Sequence, residues 1–351
     1  MTRRQWIVKA VPALLITASL VVTGGCGLFS KQATSEIDPP PADWQEKYGD
    51  AEQTMAMAEG EGSQLTVYLK DRNGYIAPVT LAVPLADNQL PEQAALEVMV
   101  DGGPYASLLP DGFEPVLSKG TQILKLDLVK DQELAIVDVN DYFTGYNAQD
   151  ERKIVEAVTW TLTGFPEVKQ VQLRQNGEKL AEMPVDGFPL AGTLTRHIGI
   201  NLERADGVDY ARSTPVTLYF SALTPDDTHY YVPVTRLIDR SEDVAAAAMH
   251  QLIAGPMSSS HLTRVMTDDL QVGSIKVEQG VVTVDLLDET YKEGQLTPSE
   301  MIQSVILSLT ENTGASKVRI HLNGSANVTG TDNRSYSEPV DRPSYLNAIK
   351  S

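Results

Sequence analysis

Cysteine is almost absent from this chain of 351 residues, which contains only Cys26. A single cysteine excludes an intramolecular disulfide framework, and it also excludes a structural zinc site built from several thiolates. Any domain in this chain must therefore be stabilised by core packing without covalent cross-links.

Basic residues are scarce as well. The chain has 28 Lys and Arg residues against 47 Asp and Glu residues, which gives a formal net charge of −19 at pH 7. Nucleic-acid binding and electrostatic adhesion to anionic lipid both depend on clusters of Lys and Arg. The charge balance therefore disfavours both kinds of partner, and an acidic surface more often serves solubility than binding.

The common catalytic signatures are also missing. The sequence contains no G-x-S-x-G, H-E-x-x-H, P-loop or dinucleotide-binding fingerprint. We therefore predict that the protein is not an enzyme and that it has no catalytic residues, no metal and no cofactor. Its five histidines have no metal-ligand spacing: His197, His229, His250, His261 and His321.

The N-terminal stretch has the layout of a secretory signal. Three cations at Arg3, Arg4 and Lys9 precede the apolar run AVPALLITASLVV, and the small residues TGG stand directly before Cys26. The apolar run is shorter than the ~20 residues of a comfortable membrane span. We predict a signal peptide over residues 1–25, and an uncleaved anchor helix is the alternative.

The cysteine at the end of this run resembles the lipobox of bacterial lipoproteins. The resemblance implies that Cys26 is the lipid attachment site, that it carries diacylglycerol, and that it becomes the first mature residue. Two acyl chains anchor a protein stably where one binds marginally. The membrane is then a partner on the extracytoplasmic side. Residues 26–62, which contain PPP and end in GEG, are predicted to form a flexible tether of roughly 30–35 Å.

An internal repeat organises the rest of the chain. Six blocks recur in the same order, and they predict a first domain at 63–177, an inter-domain segment at 178–213, a second domain at 214–324 and a polar tail at 325–351. We expect the inter-domain segment to be partly ordered and the tail to pack loosely. The paired blocks are LTVYL with VTLYF, PVT with PVT, ALEVMVDGGP with AMHQLIAGP, IVDVND with TVDLLD, TLT with SLT, and QVQLRQNG with KVRIHLNG.

Each copy has the order ββαββαβ. Alternating apolar runs predict strands at 65–69, 75–83, 122–129, 133–139 and 168–175, and in the second copy at 216–220, 229–238, 270–278, 281–287 and 317–322. We predict an α+β fold in which each domain is a mainly antiparallel sheet with two helices packed on one face.

The same sequence predicts the helix boundaries and the apolar faces of the helices. Ser241 is a candidate N-cap for the first helix of copy two, and Thr297-Pro298-Ser299-Glu300 predicts a capping box for the second. The second helices carry apolar residues at helical spacing, namely Ile154, Val158, Leu162 and Phe165 in copy one and Ile302, Val305, Ile306 and Leu309 in copy two.

The ordered set of motifs resembles the sporulation and spore germination domain family, called the GerMN domain. The carriers are the Val/Leu-Tyr strands, a first helix ending in Gly-Pro, LLPDG at 108–112, the Val-Asp strand ends and the closing Asn-Gly. Copy two departs from the pattern, because it has MTDDLQVGS in place of the Pro-Asp-Gly turn.

This resemblance implies a ring-building-motif-like fold and a lipid-anchored scaffold needed for sporulation and spore germination. Such a protein acts in the space between the mother-cell and forespore membranes. Its implied partners are other proteins of the sporulation complex, with self-association through the domains as a further possibility. The alternative is a peptidoglycan- or solute-binding lipoprotein that acts in cortex formation or germination.

Two sets of residues invite a functional reading. The carboxylate pairs Asp138/Asp141 and Asp285/Asp288 recur in both copies and suit a cation site or glycan cleavage, but strand ends and turn caps explain them better. The tyrosines could stack on sugars or contact a partner, but packing is the usual role of aromatic residues on strands; they are Tyr68, Tyr75, Tyr219, Tyr230 and Tyr231.

Overall fold

The computed structural model describes residues 60–349, except residues 191, 258, 259, 268 and 293. The signal peptide, Cys26 and most of the tether lie outside the described residues. The predictions made for them therefore stay predictions. Among the described residues, no helix has both the length and the hydropathy needed to cross a bilayer.

The first repeat follows the predicted order ββαββαβ, with short additional strands. Single 3-10 turns occur at Ala106–Leu108, Lys130–Gln132, Asp141–Thr144 and Ala148–Asp150. Its main elements are β1 (Ser63–Asp71), β2 (Ile76–Val83), α1 (Pro91–Val98), β3 (Phe113–Glu114), β4 (Ile123–Val129), β5 (Leu134–Val139), α2 (Glu151–Leu162), β6 (Gln170–Gln175) and β7 (Glu178–Lys179).

The second repeat has the same order. The segment that leads into it contains β8 (Glu203–Arg204) and 3-10 turns at Arg196–Ile198 and Tyr210–Arg212. The elements that follow are β9 (Ser213–Leu223), β10 (His229–Asp239), α3 (Val244–Ala254), β11 (Gln271–Glu278), β12 (Val281–Leu287), α4 (Ser299–Thr313), β13 (Lys317–Leu322) and β14 (Val340–Asp341).

The α+β class is confirmed, and the structure adds that the strands of each repeat divide into two sheets. The hairpin β1–β2 pairs with β3, and the hairpin β9–β10 pairs with β8. The remaining strands form sheets of order β4-β5-β6-β7 and β11-β12-β13-β14, in which the pairs β5–β6 and β12–β13 are parallel. In each repeat the two helices contact both the hairpin and the mixed sheet.

Because of this double contact, the second helix of each repeat is buried on more than one face. The apolar stripe predicts a helix with one buried face, but every residue from Ile154 to Leu162 is buried in α2, as is every residue from Met301 to Thr310 in α4. Strand β2 is likewise buried at all of its positions. The helices are buried because they lie between the hairpin and the mixed sheet of their own repeat, and β2 is buried because the two repeats pack together through β2 and β10.

Two helix starts differ from the prediction. Asp243, and not Ser241, caps α3, because its Oδ1 accepts the backbone N–H of Ala246 at 2.9 Å. The predicted capping box at α4 does not form. The hydroxyl of Thr297 is buried without a hydrogen-bond partner, and Pro298 occupies the N-cap position with no side-chain cap.

The C-terminal tail is well packed, which corrects the expectation of a loose segment. Val328, Tyr336, Leu346 and Ile349 are all buried. The tail supplies β14, which pairs with β13. A single cluster of buried apolar side chains runs from Leu65 to Ile349, so the repeats share one core.

Candidate functional site

The predicted carboxylate pairs hold turns. Asp138 accepts the backbone N–H of Gly177 at 2.9 Å, and Asp285 accepts that of Gly324 at 2.9 Å. Both glycines belong to the Asn-Gly turns that close the repeats, and both have positive φ. The first aspartate of each pair therefore fixes the turn that follows the neighbouring parallel strand.

The second aspartates have local partners as well. Asp141 accepts hydrogen bonds from the side-chain amides of Gln175 and Asn176 at 3.1 and 2.6 Å. Asp288 accepts from the backbone N–H and the hydroxyl of Thr290. Among the described residues, no group of three or more His, Cys, Asp or Glu side chains has the geometry of a metal site.

The packing interpretation of the strand tyrosines is confirmed for three of them. Tyr68, Tyr219 and Tyr230 are at most 3% exposed. Tyr230 crosses between the repeats, because its hydroxyl donates to Asp71 Oδ2 at 2.7 Å and its ring meets that of Phe113 at 5.1 Å. Enclosed in this way, Tyr230 has no free face for a sugar. Burial raises the pKa of Asp71 even though Tyr230 hydrogen-bonds to it.

The two hairpins meet edge to edge, and two asparagines bridge them. Asn201 accepts the N–H of Ile76 and donates to the carbonyls of Ile76 and Pro233, at 2.7–2.8 Å. Asn347 makes the equivalent bonds with the roles of β2 and β10 reversed. It accepts the N–H of Tyr231 and donates to the carbonyls of Tyr231 and Pro78. Each asparagine therefore ties β2 to β10.

The residues next to these asparagines also bind the hairpin of the opposite repeat. The hydroxyl of Thr235 in the second repeat accepts the N–H of Ile200, which follows the first repeat, at 3.0 Å. The hydroxyl of Thr80 in the first repeat accepts the N–H of Leu346, which follows the second repeat, at 2.9 Å. The closing segment of each repeat therefore binds the hairpin of the other one.

This exchange reveals a seventh repeated block. LTRHIGIN (194–201) and VDRPSYLN (340–347) align without a gap. Leu194 and Val340 each form antiparallel bridges to the equivalent residues Val171 and Val318. Aligning the inter-domain segment with the tail would have found this signal in the sequence, whereas their polar composition concealed it.

The equivalent arginines of this block, Arg196 and Arg342, meet at Glu311 of α4. Arg196 Nη1 lies 3.1 Å from a carboxylate oxygen of Glu311, and Arg342 Nη2 lies 2.7 Å from one. Tyr219 donates its hydroxyl to the same carboxylate at 3.1 Å. We call these residues, together with Trp160, the junction cluster. The guanidinium of Arg196 lies 4.4 Å from the Trp160 ring centroid.

Electrostatics in the junction cluster favour the ionised carboxylate. Burial alone would raise the pKa of Glu311, but Arg342 and Arg196 hold it below its ordinary value. Burial raises the pKa of Tyr219 well above its usual range. The cluster therefore contains two cations, one anion and a neutral phenol at neutral pH.

Two adjoining cavities open at the junction cluster. The first has a volume of about 460 Å³ and lies between the hairpin of the first repeat, the end of α2 and the tail. The second has a volume of about 640 Å³ and lies beside Lys169, Thr195 and His197. Gly164, Arg196 and Arg342 border both cavities. This is the polar site of the fold that the sequence-based search missed.

Comparison with known proteins gives two kinds of similarity. The family model "Germane: Sporulation and spore germination" matches residues 66–181 and 217–328. The spore germination protein GerM of Bacillus subtilis (strain 168) is 37% identical over 360 residues, which cover 96% of this chain and 97% of that protein.

A solved structure agrees with this relation. The tandem GerMN domains of the sporulation protein GerM from Bacillus subtilis align with a TM-score of 0.76 and 38% identity, over 81% of this chain and 99% of that chain. The description of neither relative names a reaction. The tandem repeat, its fold and these matches agree, and the chain belongs to the sporulation and spore germination family.

Proposed function

We propose that this protein is a lipid-anchored extracytoplasmic scaffold. In this role it contributes to the assembly of the complex between the mother-cell and forespore membranes during sporulation. Membership of the family supports the setting, and the lipobox-like sequence around Cys26 supports the anchor. The observation that carries the proposal is that the closing segment of each repeat binds the hairpin of the other one, through Asn201 and Asn347. These contacts hold two similar domains in one fixed relation.

A fixed pair of domains presents two equivalent sheet edges to partners. β4 and β11 are terminal strands of their mixed sheets, so each has an outer row of backbone groups able to pair with another strand. Both edges carry an exposed apolar side chain, Leu124 at 49% and Val277 at 52% exposure. We infer that partner proteins of the complex contact these two strands.

Cross-linking in sporulating cells tests the scaffold. A photo-reactive amino acid at Leu124 or Val277 should give a discrete cross-link to another protein of the sporulation complex. The same probe at Tyr210, which is 62% exposed and lies outside the edge strands, serves as the matched control. Equal cross-linking at all three positions would contradict the use of the edges. Sedimentation of fragment 60–351 with purified peptidoglycan would favour the glycan-binding alternative.

The anchor has its own test. Cys26→Ala should release the protein from membranes or leave an unprocessed precursor, because no thiol remains to carry diacylglycerol. Membrane fractionation and immunoblotting check both outcomes, and metabolic labelling with a fatty acid should mark only the Cys26 form. A variant that stays membrane-bound at mature size would show that the lipid is not the anchor.

A further inference from the structure

The two arginines of the junction cluster are equivalent in the repeat, and they also bind equivalent threonines. Arg196 Nε donates to the hydroxyl of Thr163 at 3.0 Å, and Arg342 Nη1 donates to that of Thr310 at 2.7 Å. Both arginines nevertheless share one carboxylate, Glu311. Two symmetric cations therefore share a single anionic partner among residues 60–349 as far as the structure describes them.

The repeat explains where a second carboxylate is missing. The blocks TLTG (161–164) and SLTE (308–311) align, so Gly164 occupies the position of Glu311 in the first copy. A Cβ built on Gly164 would lie 3.1 Å from the carbonyl oxygen of Thr161 and 4.0 Å from Arg196 Nη2. Where a second glutamate side chain would begin, the protein has the opening shared by the two cavities.

Donors are available at this opening. Among the described residues, Arg196 Nη2 and Arg342 Nε have no hydrogen-bond acceptor, and the two side chains are 28% and 25% exposed. In the part of the chain that the structure describes, no Asp or Glu lines either cavity, whereas Lys169 lines the second one. The opening is therefore locally positive in a chain whose net charge is −19. A guanidinium fork pairs well with a carboxylate.

The first cavity adds an apolar compartment beside these donors. Its lining includes Leu65, Tyr68, Phe165 and Leu346. We propose that the junction binds a small organic carboxylate. Its carboxylate occupies the position of the missing glutamate between Arg196 and Arg342, and its apolar body lies in the first cavity. This ligand site goes beyond the scaffold proposal and does not depend on it.

Calorimetric titration tests the site with 3-phenylpropionate as the probe. The protein is fragment 60–351, which corresponds to the tandem domains solved by themselves in the relative. A ligand of about ten non-hydrogen atoms should bind with a dissociation constant of roughly millimolar or tighter. The neutral amide 3-phenylpropionamide should bind at least about tenfold more weakly, since a hydrogen bond to a charged group is worth that factor or more. Inorganic phosphate should also bind at least about tenfold more weakly, because it has no apolar body to bury in the first cavity.

Substitutions locate the binding. Arg196→Gln should weaken binding of 3-phenylpropionate by at least about tenfold, whereas Arg319→Gln, the same change on β13 away from both cavities, should leave it unchanged. Ser344→Trp, which adds a large side chain to the lining of the first cavity and replaces no residue of the junction cluster, keeps the test valid if Arg196→Gln does not fold. It should also abolish binding.

A last pair of variants places the missing carboxylate on the protein itself. Gly164→Glu should raise the thermal midpoint above that of Gly164→Gln, which has the same size without the charge, and it should abolish binding of 3-phenylpropionate. Equal binding of the acid and the amide would overturn the proposal. Undiminished binding to Gly164→Glu, tighter binding of phosphate or no binding of 3-phenylpropionate would also overturn it.

Discussion

At the scale of single residues, the contact between the repeats depends on polar side chains. Asn201 and Asn347 adopt φ of 47° and 53°, a left-handed conformation that asparagine tolerates better than most residues. Each makes three hydrogen bonds to strand backbone. Pro78 and Pro233 lack an N–H, so these strand edges cannot pair regularly here and a side-chain amide bridges them.

The junction cluster gives a prediction for pH. The lowered pKa of Glu311 means that the ionised carboxylate stabilises the fold above the unfolded value of about 4.3, and that this stability is lost as pH falls through the lower folded value. Glu311→Gln should lower the free energy of unfolding by about 3 kcal/mol at pH 7, because it leaves two partly buried arginines without an anion. Urea denaturation at a series of pH values measures this loss.

The difference between Glu311→Gln and the parent protein should shrink below about pH 4, where the parent carboxylate is itself protonated. Glu278→Gln, at an exposed strand end, is the control and should change little at any pH. A constant difference from pH 7 to pH 3 would contradict the role assigned to the charge of Glu311.

At the scale of elements, a helix hydroxyl accepts a hydrogen bond from a strand N–H in each repeat. The backbone N–H of Tyr68 donates to Thr161 at 2.9 Å, and that of Tyr219 donates to Ser308 at 3.0 Å. These N–H groups are buried, and each belongs to the first strand of its hairpin. The second helix of each repeat therefore satisfies a donor that no neighbouring strand accepts.

Removing these hydroxyls should be costly. Thr161→Val and Ser308→Ala should each lower the free energy of unfolding by about 1–3 kcal/mol, the cost of an unsatisfied buried donor. The same helices offer matched controls. The hydroxyls of Thr159 and Ser304 are buried without a hydrogen-bond partner, so Thr159→Val and Ser304→Ala should be neutral or stabilising. Equal losses in test and control variants would refute this assignment.

Element types were predictable and several element ends were not. The apolar runs predict each long strand to within a few residues, because a strand with one buried face alternates and a fully buried strand such as β2 is a continuous apolar run. The capping box at Thr297 failed because Pro298 takes the N-cap position and the Thr297 side chain faces the interior. The choice between Ser241 and Asp243 depends on local backbone angles that composition does not specify.

At the scale of the whole molecule, the two repeats form one core and exchange their closing segments. The Pro-Asp-Gly turn, which occurs only in copy one, lies at the contact between the repeats through Gly112. This glycine has φ of 87°, and a Cβ there would lie 2.9 Å from Pro225 of the second hairpin. A side chain at position 112 would therefore clash with the second repeat.

Truncation tests this coupling. Deleting residues 340–351 removes Arg342, Leu346 and Asn347, which bind the first repeat and the junction cluster. We expect a loss of about 3 kcal/mol or more in the free energy of unfolding, seen as a midpoint lower by roughly 5 °C or more in calorimetry. The parent should unfold in one transition.

Asp341→Asn is the control within the same tail. It breaks an exposed ion pair with Lys317, and such pairs contribute at most about 1 kcal/mol. Two separate transitions in the parent, or a truncated chain as stable as the parent, would show that the repeats are independent.

The sequence by itself determined the duplication, the order ββαββαβ and the α+β class, because periodicity and turn residues are local properties that every copy must repeat. Only the tertiary structure decided that the tail packs against the first repeat and that Arg196 and Arg342 share Glu311 beside Gly164. Those features depend on residues more than a hundred positions apart meeting at one junction, and no local pattern records which distant partners will meet.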